Sequence, residues 1–94
     1  MKTIYKYTVG IRVGQQTLFI PRSAQILSVG HQGNPREIVV WALVNTKEYC
    51  AEHIIRVYGT GEILDDLPEQ AKLIGTVQMP GGLVWHVFAW SEQI

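Results

Sequence analysis

The sequence has one cysteine, Cys50, so an intrachain disulfide is excluded. Such a composition fits a reducing compartment. The amino-terminal residues contain no apolar run of signal-peptide length. The longest apolar run, from Ile38 to Val44, is far shorter than the roughly 20 residues of a membrane-spanning helix. We therefore expect a soluble intracellular protein with no membrane partner.

Charge is also scarce. Only 17% of the residues are charged, against about 25% in an average globular protein. Lys+Arg and Asp+Glu both number 8, so the formal net charge is zero. A basic excess that would displace counterions from DNA or RNA is missing, which argues against bulk nucleic-acid binding. A net charge near zero also favours self-association.

Signatures of catalysis or metal binding are missing too. The spacing of His31, His53 and His86 matches no zinc pattern. No local feature marks Cys50 as a nucleophile, so a buried or incidental thiol is the favoured interpretation. Asp65 and Asp66 are adjacent and would diverge, which favours a solvated turn over paired catalytic carboxylates. We expect a non-enzymatic protein without a cofactor or a bound metal.

The residues that are present predict an all-β fold in one domain, residues 1–94. Segments rich in β-branched and aromatic residues alternate with turns. Seven strands are predicted, at Thr3–Val9, Gln16–Ile20, Ala24–His31, Arg36–Val44, Glu52–Tyr58, Ala71–Met79 and Leu83–Trp90. Their spacing is typical of a small antiparallel sandwich or barrel. At most one short helical turn is expected, at Asp65–Gln70, where Asp66 could act as its cap.

Alternation assigns faces to the strands. In the third strand it places Leu27, Val29 and His31 on one face and Ile26 on the other. The third and fourth strands should form a hairpin around Gln32–Pro35. Ile38–Val44 and Leu83–Trp90 are apolar on both faces. Because a small sheet usually buries only one face, we expect another subunit or a ligand to complete the cover of the last strand.

Two features invite a site. Gly59-Thr60-Gly61 lacks the Gly-Lys-Ser/Thr continuation of a phosphate loop, so a tight turn is favoured. Backbone amides that bind an anion there remain an open alternative. His86 lies between Val84 and Phe88 on an apolar face. A hydrogen-bonded core or interface histidine is favoured, with a ligand contact as the alternative.

Arginines and aromatic residues supply the other candidates. The arginines considered are Arg12, Arg22, Arg36 and Arg56. Arg56 lies between Ile54 and Tyr58 within a strand, where a guanidinium needs a carboxylate, an aromatic face or a bound anion. Tryptophans could stack a base, although aromatic residues in β-proteins are mainly core. The candidate ligand-binding residues are Arg56, Tyr58, Thr60, His86, Trp41 and Arg22.

Six segments resemble a small family of tailed-phage and prophage proteins. They are Lys2–Tyr7, Ala24–Val29, Trp41–Val44, Tyr58–Gly61, Ile74–Thr76 and Gly81–Phe88. The likeness extends over nearly the whole chain. It implies a viral source, a β-rich fold and a location in the host cytoplasm, and it supplies no catalytic residue.

By association with small phage proteins that act on host defence, we expect a homo-oligomer that sequesters a small anionic, nucleotide-derived ligand. One alternative is a protein–protein inhibitor of a host defence complex. Another is a virion or assembly component, which would be present in purified particles.

Overall fold

Seven strands form two antiparallel sheets in the computed structural model, which describes residues 1–12, 14–33 and 37–91. The strands are β1 (Lys2–Gly10), β2 (Gln15–Pro21), β3 (Gln25–His31), β4 (Glu37–Asn45), β5 (Cys50–Gly59), β6 (Lys72–Gln78) and β7 (Val84–Trp90). Sheet A has the order β1-β4-β3 and sheet B has the order β2-β5-β7-β6. The prediction of an all-β fold with about seven strands is confirmed. None of the described residues belongs to a helix that could cross a membrane.

The core lies between the two sheets and is built from alternate residues of the strands. Its buried members are Val9, Ile38, Val40, Ile55, Val57, Val77, Met79 and Val87. Both doubly apolar strands are central, since β4 lies between β1 and β3 while β7 lies between β5 and β6. The predicted pairing of the third and fourth strands is confirmed by the antiparallel register of β3 and β4. Asn34, Pro35 and Arg36, in the predicted turn and strand start, lie outside the described residues.

The predicted faces of β3 are wrong at its first half. The register with β4 shifts between Ile26 and Ser28, so Leu27 is an extra residue in a β-bulge. A bulge changes the phase of the alternation on either side of it. Ile26 therefore packs against the core together with Val29, and Leu27 is exposed. Alternation within one strand could not place this bulge, because its position depends on the pairing with β4.

The outer face of β7 is closed by the chain itself. Residues 60–71, which connect β5 to β6, bring Asp66 to Arg56 and Tyr58 on this face. Tyr58 is 1% exposed and Trp90 is 6% exposed. The segment forms turns, with hydrogen bonds from Leu67 N to the Leu64 carbonyl and from Ala71 N to the Pro68 carbonyl. The cover that we expected from another subunit or a ligand thus comes in part from this connection.

The outer face of β4 is the more open one. The indole of Trp41 lies over Gly30 of β3, where a β-carbon would be 3.2 Å from Cζ3. Lys6 lies opposite Trp41 in the register, and its ammonium donates to Oε1 of Gln32 at 2.8 Å. The lysine stem therefore runs across this face toward the far end of β3. Val39 is 3% exposed, whereas Trp41 and Leu43 keep part of their surface in solvent.

The sandwich is closed differently on its two sides. On one side β3 and β6 pack directly against each other. On the other side the side-chain amide of Gln16, in β2, forms two hydrogen bonds with the backbone of Gly10, in β1. Gly10 N donates to Oε1 of Gln16 at 3.1 Å, and Nε2 of Gln16 donates to the Gly10 carbonyl at 2.6 Å. Gln16 is 6% exposed, and these bonds offset the cost of burying its amide.

Candidate functional site

Four of the six predicted site residues lie together on the outer side of sheet B. Arg56 and Tyr58 alternate along β5, and Tyr58 lies directly opposite His86 of β7. Thr60 follows β5 and reaches His86, with 2.8 Å between Oγ1 and Nε2. Sequence reasoning thus selected residues that the fold brings together, because strand alternation and the β5–β7 pairing place them on one face.

The Arg56 guanidinium already has two internal partners. Its Nη1 donates to Oδ2 of Asp66 in an ion pair, and its Cζ lies 4.8 Å from the centroid of the Tyr58 ring. The hydrogen bond from Arg56 lowers the pKa of Asp66 below its usual value. Burial raises the pKa of the Tyr58 hydroxyl, which lies 3.4 Å from Oδ1 of Asp66. The carboxylate and the aromatic face that we expected for Arg56 are therefore both present within the chain.

His86 is held through both ring nitrogens. Nε2 contacts the Thr60 hydroxyl, and Nδ1 lies 3.2 Å from Oγ1 of Thr76 on β6. A neutral imidazole has one donor and one acceptor, and a hydroxyl can match either. His86 therefore has the hydrogen-bonded position that we favoured from the sequence.

Gly59-Thr60-Gly61 forms a tight turn. Glu62 N donates to the Gly59 carbonyl at 3.2 Å, and Gly61 has a φ of 91°, which glycine adopts without strain. Gly59 N donates to Oε1 of Glu62 at 2.8 Å. The carboxylate of Glu62 thus occupies one of the backbone amides that we had considered for an anion.

Trp41 and Arg22 lie apart from this group. Trp41 is on the outer face of sheet A, over Gly30. Arg22 is in the turn between β2 and β3, where its Nη1 donates to the Tyr49 hydroxyl at 2.9 Å. The sequence could not reveal this separation, since it depends on how the strands are divided between the two sheets.

A cavity of about 280 Å³ lies beside Arg56, where the β1–β2 connection passes the edge of β5. Its lining consists of Ile11, Arg12, Gly14, Arg56, Val57, Glu62 and Trp85. β2 begins at Gln15, opposite Arg56, so β5 has no β2 neighbour from Val57 onward. The cavity occupies this gap in the sheet.

Arg12, Glu62 and Trp85 line this cavity but are not among the six ligand-binding residues selected from the sequence, although Arg12 was one of the arginines considered there. Within the described residues, Arg12 has no ion-pair or hydrogen-bond partner, although it is exposed at the cavity. Nε1 of Trp85 is buried and also lacks a hydrogen-bond partner there. Gly10 and Gly14 on either side of Arg12 mark a connection rather than a site, and no sequence pattern joined Arg12 to Trp85.

A second hollow, of about 490 Å³, lies at the other end of the sandwich. Its lining includes His53, Trp90 and Lys72. Nε2 of His53 and Nε1 of Trp90 are buried without partners among the described residues. Burial lowers the pKa of His53, against hydrogen bonds with the backbone at Arg22 and Pro21 that raise it. This hollow has no guanidinium in its lining, unlike the first cavity.

Among the described ranges, no group of three or more histidine, cysteine, aspartate or glutamate side chains could hold a metal ion. The comparison with protein families gives one match that covers residues 1–94, to a domain of unknown function, DUF7352. The chain belongs to the DUF7352 family. Comparisons with curated proteins and with solved structures give no match.

Membership in DUF7352 assigns no activity to any residue, so the candidate site is chosen from the geometry of the described residues. Arg56, Thr60 and His86 of the outer-face group each have a partner within the chain. The cavity lined by Arg12 and Trp85 combines a cation that is unpaired within residues 1–12, 14–33 and 37–91 with an aromatic ring in one concave space. It is the place in the described structure with the best chemistry for a ligand.

Proposed function

We propose that this protein is a non-enzymatic binding protein for a small anionic, nucleotide-derived ligand, which it holds in the cavity between the β1–β2 connection and β5. The observation that carries the proposal is the guanidinium of Arg12, which has no partner among the described residues, in the same cavity as the indole of Trp85. The ligand site differs from the one expected from the sequence. The proposed site includes Arg56 from the sequence prediction. It does not include the Gly59 amide or His86, because both have partners within the chain.

Each lining group has a role that fits a nucleotide. Arg12 would bind phosphate oxygens through its planar fork of donors. The Trp85 ring would pack against the base, as aromatic side chains do in many nucleotide sites. Glu62 accepts one hydrogen bond from Gly59 and has acceptor capacity left for a sugar hydroxyl or a base amino group. Arg56 would add positive charge at the rim, although Asp66 offsets much of it.

The size of the cavity limits the ligand. At about 280 Å³ it is near the lower end of small-molecule sites, which start at roughly 300 Å³. A mononucleotide or one half of a cyclic dinucleotide suits this volume better than a long oligonucleotide.

Sequestration of a ligand in host-defence evasion needs affinity for that ligand and no catalysis. It therefore suits a sequence without signatures of catalysis or metal binding. The resemblance to tailed-phage and prophage proteins supports this role and a location in the host cytoplasm. Self-association as a homo-oligomer is part of the same proposal and is argued separately below.

Titration calorimetry tests the ligand. Protein at tens of micromolar would be titrated with linear and cyclic nucleotides and with ADP-ribose derivatives. Arg12→Ala should weaken binding at least about tenfold, because it removes charge-assisted hydrogen bonds. Arg22→Ala is the matched control, since it removes the same charge from an exposed position outside the cavity. Absence of heat with every compound, or equal weakening by both substitutions, would contradict the proposal.

A second candidate function is inhibition of a host defence complex by surface contact. The observation that favours it is the outer face of sheet A, where Ile4 and Leu27 are exposed and Trp41 and Leu43 are half-buried. Apolar surface of this kind often marks a protein contact. Leu27→Lys should then abolish capture of a host protein, whereas Leu73→Lys, on sheet B, should leave it intact. Capture that survives Leu27→Lys would argue against this face.

A further inference from the structure

β1 is an edge strand of sheet A, and the backbone groups on its free side can be identified from its register with β4. Thr46 N donates to the Met1 carbonyl, so Met1 and Thr46 are a hydrogen-bonded pair of the β1–β4 ladder. In an antiparallel ladder such pairs alternate with non-hydrogen-bonded ones. The odd residues of β1 therefore bond to β4. The N–H and carbonyl groups of Lys2, Ile4, Lys6, Thr8 and Gly10 point to the opposite side.

Only one end of this edge is satisfied within the described residues. Gly10 N and its carbonyl are bonded by the Gln16 side chain, which imitates a neighbouring strand. β1 pairs with β4 alone, so Lys2, Ile4, Lys6 and Thr8 present unpaired backbone groups to solvent. An unpaired edge of this length is a template for another strand.

We propose that two copies of this chain pair antiparallel through the free edges of β1, with a two-fold axis at Tyr5. In this register Ile4 lies opposite the second copy's Lys6, and Lys2 lies opposite its Thr8. Every unpaired group of the edge then finds a partner, and each of these pairs exchanges two hydrogen bonds. The proposal goes beyond the ligand site, because the cavity lies within a single chain.

Neighbouring registers fit less well. A two-fold axis at Lys6 would place the two Lys6 side chains opposite each other, and like charges directly opposite are destabilising. It would also bring Lys2 against Gly10, whose groups Gln16 already occupies. An axis at Ile4 would leave Thr8 unpaired. The cap at Gly10 thus selects the register centred on Tyr5.

Side chains near the axis agree with a second copy as the occupant. Tyr5 is 44% exposed and makes an edge-to-face contact with Tyr7, with ring centroids 6.4 Å apart. In the paired edge the two Tyr5 rings would cover each other as a cross-strand aromatic pair. Lysines on an edge strand commonly prevent pairing, but the Lys6 ammonium is bonded to Gln32 across the sheet. The formal net charge of zero removes long-range repulsion between copies.

Cysteine cross-linking reads the register directly. In a Cys50→Ser background, Tyr5→Cys should form an interchain disulfide on mild oxidation. Residues of a non-hydrogen-bonded pair have Cα atoms about 4.5 Å apart, within the range that a disulfide spans. Lys6→Cys is the matched control and should stay unlinked, because Lys6 faces Ile4 of the second copy. Cross-linking of Lys6→Cys instead of Tyr5→Cys, or of neither, overturns the proposal.

Light scattering provides the second measurement. The chain of 10.6 kDa should give twice this mass at high micromolar concentration. Ile4→Pro removes one donor from the free edge and none from the ladder with β4, so it should halve the mass with the β-sheet circular dichroism retained. A mass of 10.6 kDa for the unsubstituted chain also overturns the pairing. Either result leaves the calorimetric test of the ligand site unaffected.

Discussion

Gly75 of β6 and Val29 of β3 approach so closely that a β-carbon on Gly75 would lie 2.3 Å from Cγ2 of Val29. Only glycine fits there unless Val29 moves. Gly75 directly follows the shift of register between Leu73 and Gly75 on β6. The bulge and the glycine together let the edges of the two sheets meet on this side of the core.

We predict that Gly75→Ala lowers the free energy of unfolding by about 1–3 kcal/mol, the usual range for overpacking a core. Val29→Ala alone should also destabilise, because it leaves a cavity. The double substitution should cost less than the sum of the two single ones, since the added methyl group fills the space that Val29 vacates. Urea unfolding measures all three. Strict additivity would show that the contact between these residues is not the cause.

A second prediction concerns the buried amide of Gln16. Gln16→Leu keeps the volume and leaves the Gly10 N–H and carbonyl without partners, which should cost about 1–3 kcal/mol. Gln15→Leu, on the exposed neighbouring residue, is the control and should change the free energy of unfolding by less than about 0.5 kcal/mol. Equal effects of the two variants in urea unfolding would contradict the role of the Gln16 cap.

The Asp66–Arg56 pair predicts a loss of stability in acid. The pKa of Asp66 is lowered in the folded state by the hydrogen bond from Arg56. The unfolded chain therefore binds the proton more readily, and stability falls as the pH drops below about 3.8 and through the folded pKa. Asp66→Asn should flatten this part of the curve of unfolding free energy against pH. Asp65→Asn is the control, since Arg56 pairs with Asp66 instead. An unchanged acid slope in Asp66→Asn would refute the assignment.

His53 predicts a separate transition nearer to neutrality. Burial lowers its pKa from 6.5, so the folded protein favours the neutral imidazole. Its contribution to stability is present above about pH 6.5 and is lost as the pH falls through the folded pKa. Thermal unfolding between pH 5 and 8 should show a decrease toward acid that His53→Gln removes. The effect should be small because the ring is only partly buried, and a variant with the same dependence as the parent chain would count against it.

The sequence predicted the strands well because each strand is a segment rich in β-branched and aromatic residues that lies between turn residues. It also predicted that Arg56 needs a carboxylate or an aromatic face, and Asp66 and Tyr58 supply both. It did not predict that Asp66 would do so, because we interpreted residues 65–70 as a short helical turn. The sequence shows that a cation flanked by apolar residues needs a partner. Which residue becomes that partner depends on tertiary contacts.

The cavity was harder to predict than the strands. Arg12 and Trp85 are far apart in sequence, and they meet because β2 starts opposite Arg56 and leaves the edge of β5 open. No sequence spacing predicts that a residue in the β1–β2 connection, such as Arg12, lies near one in β7, such as Trp85. Trp41 and Arg22 failed to join the other candidates for a related reason, since each lies where its own sheet and turn place it.

The difference between the two sides of the sandwich has a consequence for its motions. The β3–β6 side is held by direct packing at Gly75, whereas on the β1–β2 side the described residues show two hydrogen bonds between Gln16 and Gly10. Transient openings of the native state should therefore begin on the β1–β2 side, while the β3–β6 side stays packed. In hydrogen–deuterium exchange of the Ile4→Pro variant, in which the β1 edges should stay unpaired, amides on the free edge of β1 should exchange first and those of the central strands β4, β5 and β7 last.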